Sequence, residues 1–259
     1  MALGLIVFDV VIFSLATALY GGAFLAAARV HMLLSERAPA PIAYCVATLT
    51  AVLVLIAEVA ILVRLLPRLR EGRYSVLKDS QFFVWALHSV LRRILFFPGL
   101  KTLIFSSSVL RFLALRALGA RVAFSSNMSS DVDLLDPALL TVERGSTMGA
   151  RTLITGHIVF ENVLTLGRVY IGEGAQLGAE STLGPSTSVG KGALLKLMTS
   201  LGIGVTVGDG ARVGPWSTLN TGASVGARAV VGANANVPRG VRVADGERYD
   251  GLRLPETPP

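Results

Sequence analysis

A parallel β-helix carried on apolar helices is the fold this sequence predicts, and three observations predict it. Between Ile171 and Val243 every sixth residue is aliphatic, from Ile171, Leu177 and Leu183 through Leu195 and Leu201 to Val237 and Val243. The first 70 residues hold two long apolar runs. The positive charge is confined to one half: of a net +7, residues 1–121 carry 13 Lys/Arg against 5 Asp/Glu, while residues 122–259 carry 11 against 12.

The six-residue period has a simple physical meaning. Three hexads close one triangular coil, and each aliphatic side chain points inward to stack on its counterpart one coil away, about 4.8 Å along the axis. Glycine usually follows the aliphatic residue, as at Gly172, Gly178, Gly190 and Gly208, and glycine tolerates the backbone angles of a corner. A small or β-branched residue stands four places after the aliphatic, as at Ala175, Ser181, Ala193 and Thr199. An amphipathic helix would need a period of 3.6. No coil buries its own core, so the coils must stack. Residues 171–243 are expected to form four uninterrupted coils, and the domain 122–243 about six in all.

Taken in order, the chain begins with an expected two-helix transmembrane hairpin, 1–70. Leu3 to Ala28 and Pro41 to Val63 are each long enough to cross roughly 30 Å of hydrocarbon as a helix. The first run lacks a basic leader and is too long for a signal peptide, so it reads as retained. Arg29 and Arg37 lie in the connection, whereas Arg64, Arg68, Arg70, Arg73 and Lys78 follow the second run. The richer side reads as cytoplasmic, which places the β-helix in the cytoplasm of a multi-pass protein of the cell membrane. Asp9 and Glu58 read as reaching toward headgroups or nearby arginines rather than as an intramembrane site. Residues 71–121 follow as two basic amphipathic helices, Gln81 to Phe97 and Lys101 to Leu118. Their arginines favour the headgroup plane over the bilayer interior. Membrane lipid is thus an expected partner, and nucleic acid is not.

Val122 opens the prism. Asp131, Asp133 and Asp136 resemble a metal cluster at first sight, but they read as the polar outer face of a coil, because no histidine or cysteine joins them. The hexad period runs through Val142, Met148 and Ile154 and then fails: Ile154 to Ile171 is 17 residues. A loop is expected to leave the prism there, beside His157. Of three histidines, only His157 lies in the repeat region. Cys45 is the single cysteine and sits in an apolar run, so no disulfide framework exists. The polar end, 244–259, reads as a flexible tail.

Two resemblances rest on these residues. Thr155-Gly156-His157, the excursion Ile158 to Arg168 and the renewed run Val169-Tyr170-Ile171-Gly172 resemble the hexapeptide-repeat acyltransferases. Over residues 72–243 the chain is also similar to the membrane-embedded C-terminal region of polylysine-synthetase-type nonribosomal peptide synthetases. That similarity lies in Gly72-Arg73-Tyr74, Leu118-Gly119-Ala120-Arg121-Val122, Asp133-Leu134-Leu135-Asp136-Pro137 and Leu140-Thr141-Val142-Glu143. The first resemblance implies a left-handed winding, against the usual crossover rule. It also implies a homotrimer, with acetyl-CoA or another acyl-CoA as donor and a small-molecule or lipid-linked hydroxyl or amine as acceptor. His157 would be the general base. Trp216, Ala233 and Arg239 are the candidate coenzyme A contacts, with Lys191 and Lys196 as further candidates for its phosphates. Val237-Pro238-Arg239 departs from the Val-Thr-Lys of such enzymes. No metal is expected, since a γ-type carbonic anhydrase would need three histidines on zinc. A non-catalytic prism holding a partner at the membrane is the alternative.

Overall fold

The computed structural model describes residues 2–251. Two long helices, α1 (Ala2–Ser35) and α2 (Ala40–Leu65), pack together as a hairpin. Both are long and apolar enough to cross a membrane. Pro39 stands at the N-cap of α2 without a capping bond, and Pro41 falls in the first turn, where a missing N–H leaves no helix bond unmade. Glu58 departs from the expected pairing with a nearby arginine: it makes no ion pair among the described residues. Its carboxylate lies against Gly22 of α1, and one oxygen is buried without a partner.

A short strand, β1 (Gly72–Ser75), leads into three helices rather than the two expected: α3 (Ser80–Leu95), α4 (Pro98–Ser106) and α5 (Ser108–Ala117). Pro98 starts α4, which bends 75° from α3. The expected second helix breaks at Ser107, whose side chain caps α5 by accepting from the Leu110 N–H at 3.3 Å. Serine competes with the helix for backbone groups, and three consecutive serines end α4 there.

From Arg121 onward the chain winds as a parallel β-solenoid of about seven turns, with the architecture of a left-handed β-helix. Its three faces hold seven, seven and six strands. Register follows the period: Ile171 pairs with Val189, Leu177 with Leu195 and Leu183 with Leu201. Every sixth residue from Ile171 to Val243 is buried. The glycines after these residues serve a different purpose from the one their position suggests. Gly172 does not adopt a left-handed angle; a Cβ there would stand 2.7 Å from the backbone of Gly190 on the next coil. Left-handed corners fall two residues later, at Gly174, Gly192 and Gly204 or at residues such as Met198 and Trp216. The prism also runs past Val243: Arg248 and Tyr249 pair with Val230 and Val231, so 244–249 is ordered wall and not tail. The rest of the expected tail, 252–259, lies outside the described residues.

One continuous apolar core joins the layers. It runs from Val52, Leu55 and Val59 of α2 through Leu91, Leu95 and Leu115 into Val122, Met128 and the prism interior. The helices therefore cover the open first coil. Arg111 of α5 is buried and donates to the carbonyls of Met128 and Ser126, both at 3.2 Å.

Candidate active site

The prism is regular except along one edge, and the site is built there. Leu134 and Val142, consecutive inward residues of the first corner, are eight residues apart rather than six. The surplus forms a short 3-10 turn, Pro137–Leu139, that leaves Asp136 at its start. One coil later the same edge carries the excursion, within the 17-residue step from Ile154 to Ile171. Leu134 pairs with Ile154, so the two irregular corners stack and bring Asp136 beneath His157.

The excursion is a β-hairpin, not a loose loop. Its strands, His157–Phe160 and Val163–Leu166, turn at Glu161 and Asn162 with φ of 48° and 59°, the left-handed pair that suits a tight hairpin. β1 adds a third strand, pairing Gly72 with Leu166 and Ser75 with Val163. A second apolar cluster of Leu69, Val84, Leu139, Leu164 and Leu166 fastens this sheet to α3.

His157 Nδ1 lies 2.6 Å from Asp136 Oδ2. The Asp136 side chain is only 2% exposed, and that of His157 is 21% exposed. Asp136 Oδ2 also accepts from the Gly156 N–H at 2.8 Å, and Oδ1 accepts from the Trp85 indole N–H at 2.9 Å. Three donors thus converge on the buried carboxylate, so its oxygens are not left without partners. A carboxylate oxygen at Nδ1 favours the imidazole tautomer protonated there, with the lone pair on Nε2. Trp85 also packs against the imidazole, ring centroids 4.7 Å apart. The Thr155 hydroxyl donates to the His157 carbonyl at 2.7 Å and steadies the corner. On the inner side, burial holds the His88 imidazole below the ordinary histidine range; the Pro67 carbonyl and the charge of Asp136 oppose that shift.

The acidic cluster is thus corrected. A histidine does join it, through Asp136, while Asp131 bonds Ser129 and Asp133 pairs with Lys101 of α4 at 3.0 Å. The three acids have separate partners and share no site. Asp136 and Trp85 are the residues the sequence reading missed.

A cavity of about 670 Å³ opens between the hairpin and this edge, lined by Ile158, Phe160, Thr165, Ile203, Thr221 and Arg239. Ile203, Thr221 and Arg239 recur at 18-residue intervals, one per coil, so Arg239 stands on the same edge as His157. Trp216 and Ala233 stand on the next edge, after the strands Arg212–Val213 and Val230–Val231, and both are exposed. Within one chain they do not meet Arg239 or His157. Lys196 is exposed on that second edge, and Lys191, on the third, pairs with Glu173 at 3.2 Å.

Fold and site together define a hexapeptide β-helix with an aspartate–histidine pair at a coil corner. Solved acetyltransferases share this fold. The chain is similar to the acetyltransferase domain of PglB from Neisseria gonorrhoeae FA1090, with a TM-score of 0.41 and 20% identity over 52% of this chain and 62% of that one. It is similar also to PerB from Caulobacter crescentus in complex with CoA and GDP-perosamine, with a TM-score of 0.30 and 24% identity over 54% and 61%. In sequence it is 31% identical over 96 residues to delta-poly-L-ornithine synthetase of Acinetobacter baumannii (strain AB307-0294). That stretch is 37% of this chain, and it spans 7% of the length of that relative. No family model matches the chain.

Proposed function

We propose that the protein is a membrane-anchored acyltransferase in which His157, held by Asp136, is the general base. The observation that carries this reading is the 2.6 Å bond between His157 and the buried Asp136, at the foot of a hairpin whose next residue, Ile158, lines a mostly apolar cavity. An acceptor hydroxyl or amine attacks the thioester carbonyl carbon of an acyl-CoA. His157 Nε2 takes the acceptor's proton as the C–O or C–N bond forms. The C–S bond then breaks, and the proton passes to the departing coenzyme A thiolate. Arg239, with Arg73 across the cavity, supplies positive charge for the donor's phosphates. Trp216 and Ala233 of a second protomer complete the donor groove in a homotrimer, because one chain holds them on a different edge.

The test is transfer from labelled acetyl-coenzyme A into membrane lipid extract and into cytoplasmic metabolites. His157→Asn is expected to lose about 10²–10⁴-fold in turnover with its melting temperature nearly unchanged. Equal transfer by wild type and variant would remove His157 from the mechanism.

α1 and α2 span the membrane in this reading, with the arginine-rich end of α2 and the prism in the cytoplasm. Reporter fusions after Asp250 are expected to be active only with cytoplasmic reporters; activity of a periplasmic reporter there would reverse the orientation.

A further inference from the structure

At the end of α2, beneath the site, a cavity of about 330 Å³ is lined by Arg64, Arg68, His88, Arg121, Arg168 and apolar residues including Ala138. No carboxylate lines it. Arg64 belongs to the last turn of α2 with Arg68 just after it, Arg121 to the first strand of the prism and Arg168 to the foot of the hairpin, so three separate segments of the chain converge their cations here. Among the described residues, Arg168 pairs with Glu71 at 3.3 Å, while Arg64, Arg68 and Arg121 make no ion pair. Like charges gathered in a concavity repel one another, and that cost is recovered only when an anion enters. Guanidinium groups match the geometry of phosphate oxygens, which accept paired N–H bonds.

We infer that this cavity binds a phosphate group, presented at the membrane face by an anionic lipid or by a phosphorylated soluble molecule. Its depth fits that chemistry, because it opens where the apolar length of α2 stops. Its place fits too. Ala138 lies two residues after Asp136, and His88 is close enough to feel the charge of Asp136. A molecule held here by its phosphate would lie beside the Asp136–His157 pair. The binding site itself stands apart from the acyl-transfer reading, since it concerns recognition and not turnover.

The experiment uses the full chain in detergent. Thermal shift and native mass spectrometry are run with phosphatidylglycerol, with zwitterionic phosphatidylcholine and with inorganic pyrophosphate. Phosphatidylglycerol is expected to bind and to raise the melting temperature beyond phosphatidylcholine. Pyrophosphate that competes for the same site would mark recognition of the phosphate alone, whereas binding of the lipid without competition would mark a lipid headgroup. The triple variant Arg64→Gln, Arg68→Gln, Arg121→Gln is expected to bind on the order of 100-fold more weakly. A control triple, Arg212→Gln, Arg228→Gln, Arg242→Gln on the prism, is expected to bind as wild type. Equal losses in both triples, or equal shifts by phosphatidylglycerol and phosphatidylcholine with no effect of pyrophosphate, would overturn the assignment. If the first triple fails to fold, the wild-type comparison of the three probes decides it alone.

Discussion

In the proposed mechanism Asp136 works by choosing a tautomer. Its Oδ2 lies 2.6 Å from Nδ1 of His157 and would accept that N–H, which leaves Nε2 to act as the proposed base. Asp136→Asn can present an N–H to Nδ1 instead, which moves the ring proton to Nε2 and blocks proton acceptance. Turnover is expected to fall on the order of 10²-fold or more, close to the loss in His157→Asn. Trp85→Phe removes the donor to Oδ1 while keeping an aromatic ring against the imidazole, and is expected to cost on the order of tenfold, as losses behind an oriented ligand do. Single-turnover transfer by the purified variants checks the ranking; a Trp85→Phe loss equal to that of Asp136→Asn would contradict it. At this scale the site was partly legible. His157 shows itself because the hexad period fails next to it. Asp136 leaves a weaker trace, the eight-residue step from Leu134 to Val142. Trp85 leaves none, because it is 51 residues from its partner and sits in the apolar stripe of a helix.

The coil is the element whose sequence says most about its structure, because each hexad repeats one local solution. Inward aliphatics and small residues follow the period throughout. The glycines carry two separate constraints that the period alone does not distinguish. At Gly172 the obstacle is the neighbouring coil, since a Cβ would stand 2.7 Å from backbone atoms that cannot move alone. At Gly192 there is open space, but φ is +62°. Gly172→Ala is therefore expected to cost about 3 kcal/mol or more, as overpacking does, and Gly192→Ala about 1–2 kcal/mol from the left-handed backbone. Denaturant unfolding of the two variants checks the order, and the reverse order would reject this division. The excursion was legible only as a break. Its two strands pair with each other, but the third strand of the sheet is β1, about 90 residues earlier in the chain, and local pattern cannot report a partner so remote.

Across the whole molecule, the prism depends on the helices for its first coil. A solenoid exposes its interior at each end and needs a cap, and here α5 provides it with Leu115 and Ala114 over Val122 and Met128. The sequence announces amphipathic helices and a prism but not their junction, because the apolar stripe of α5 serves lipid or protein equally well. Arg111 reveals which one it meets: its guanidinium is buried against the carbonyls of Ser126 and Met128 and not in headgroups. Arg111→Met keeps most of the packing volume but leaves those two carbonyls without a donor, at about 1–3 kcal/mol each. Because coils contact only their neighbours, the damage is expected to stay local. Hydrogen exchange should quicken at the amides of Asn127 and Ser129 in the first coil and remain unchanged at Arg212 and Thr218, four coils above. Uniform acceleration along the prism would instead show that helices and all coils open as one cooperative unit.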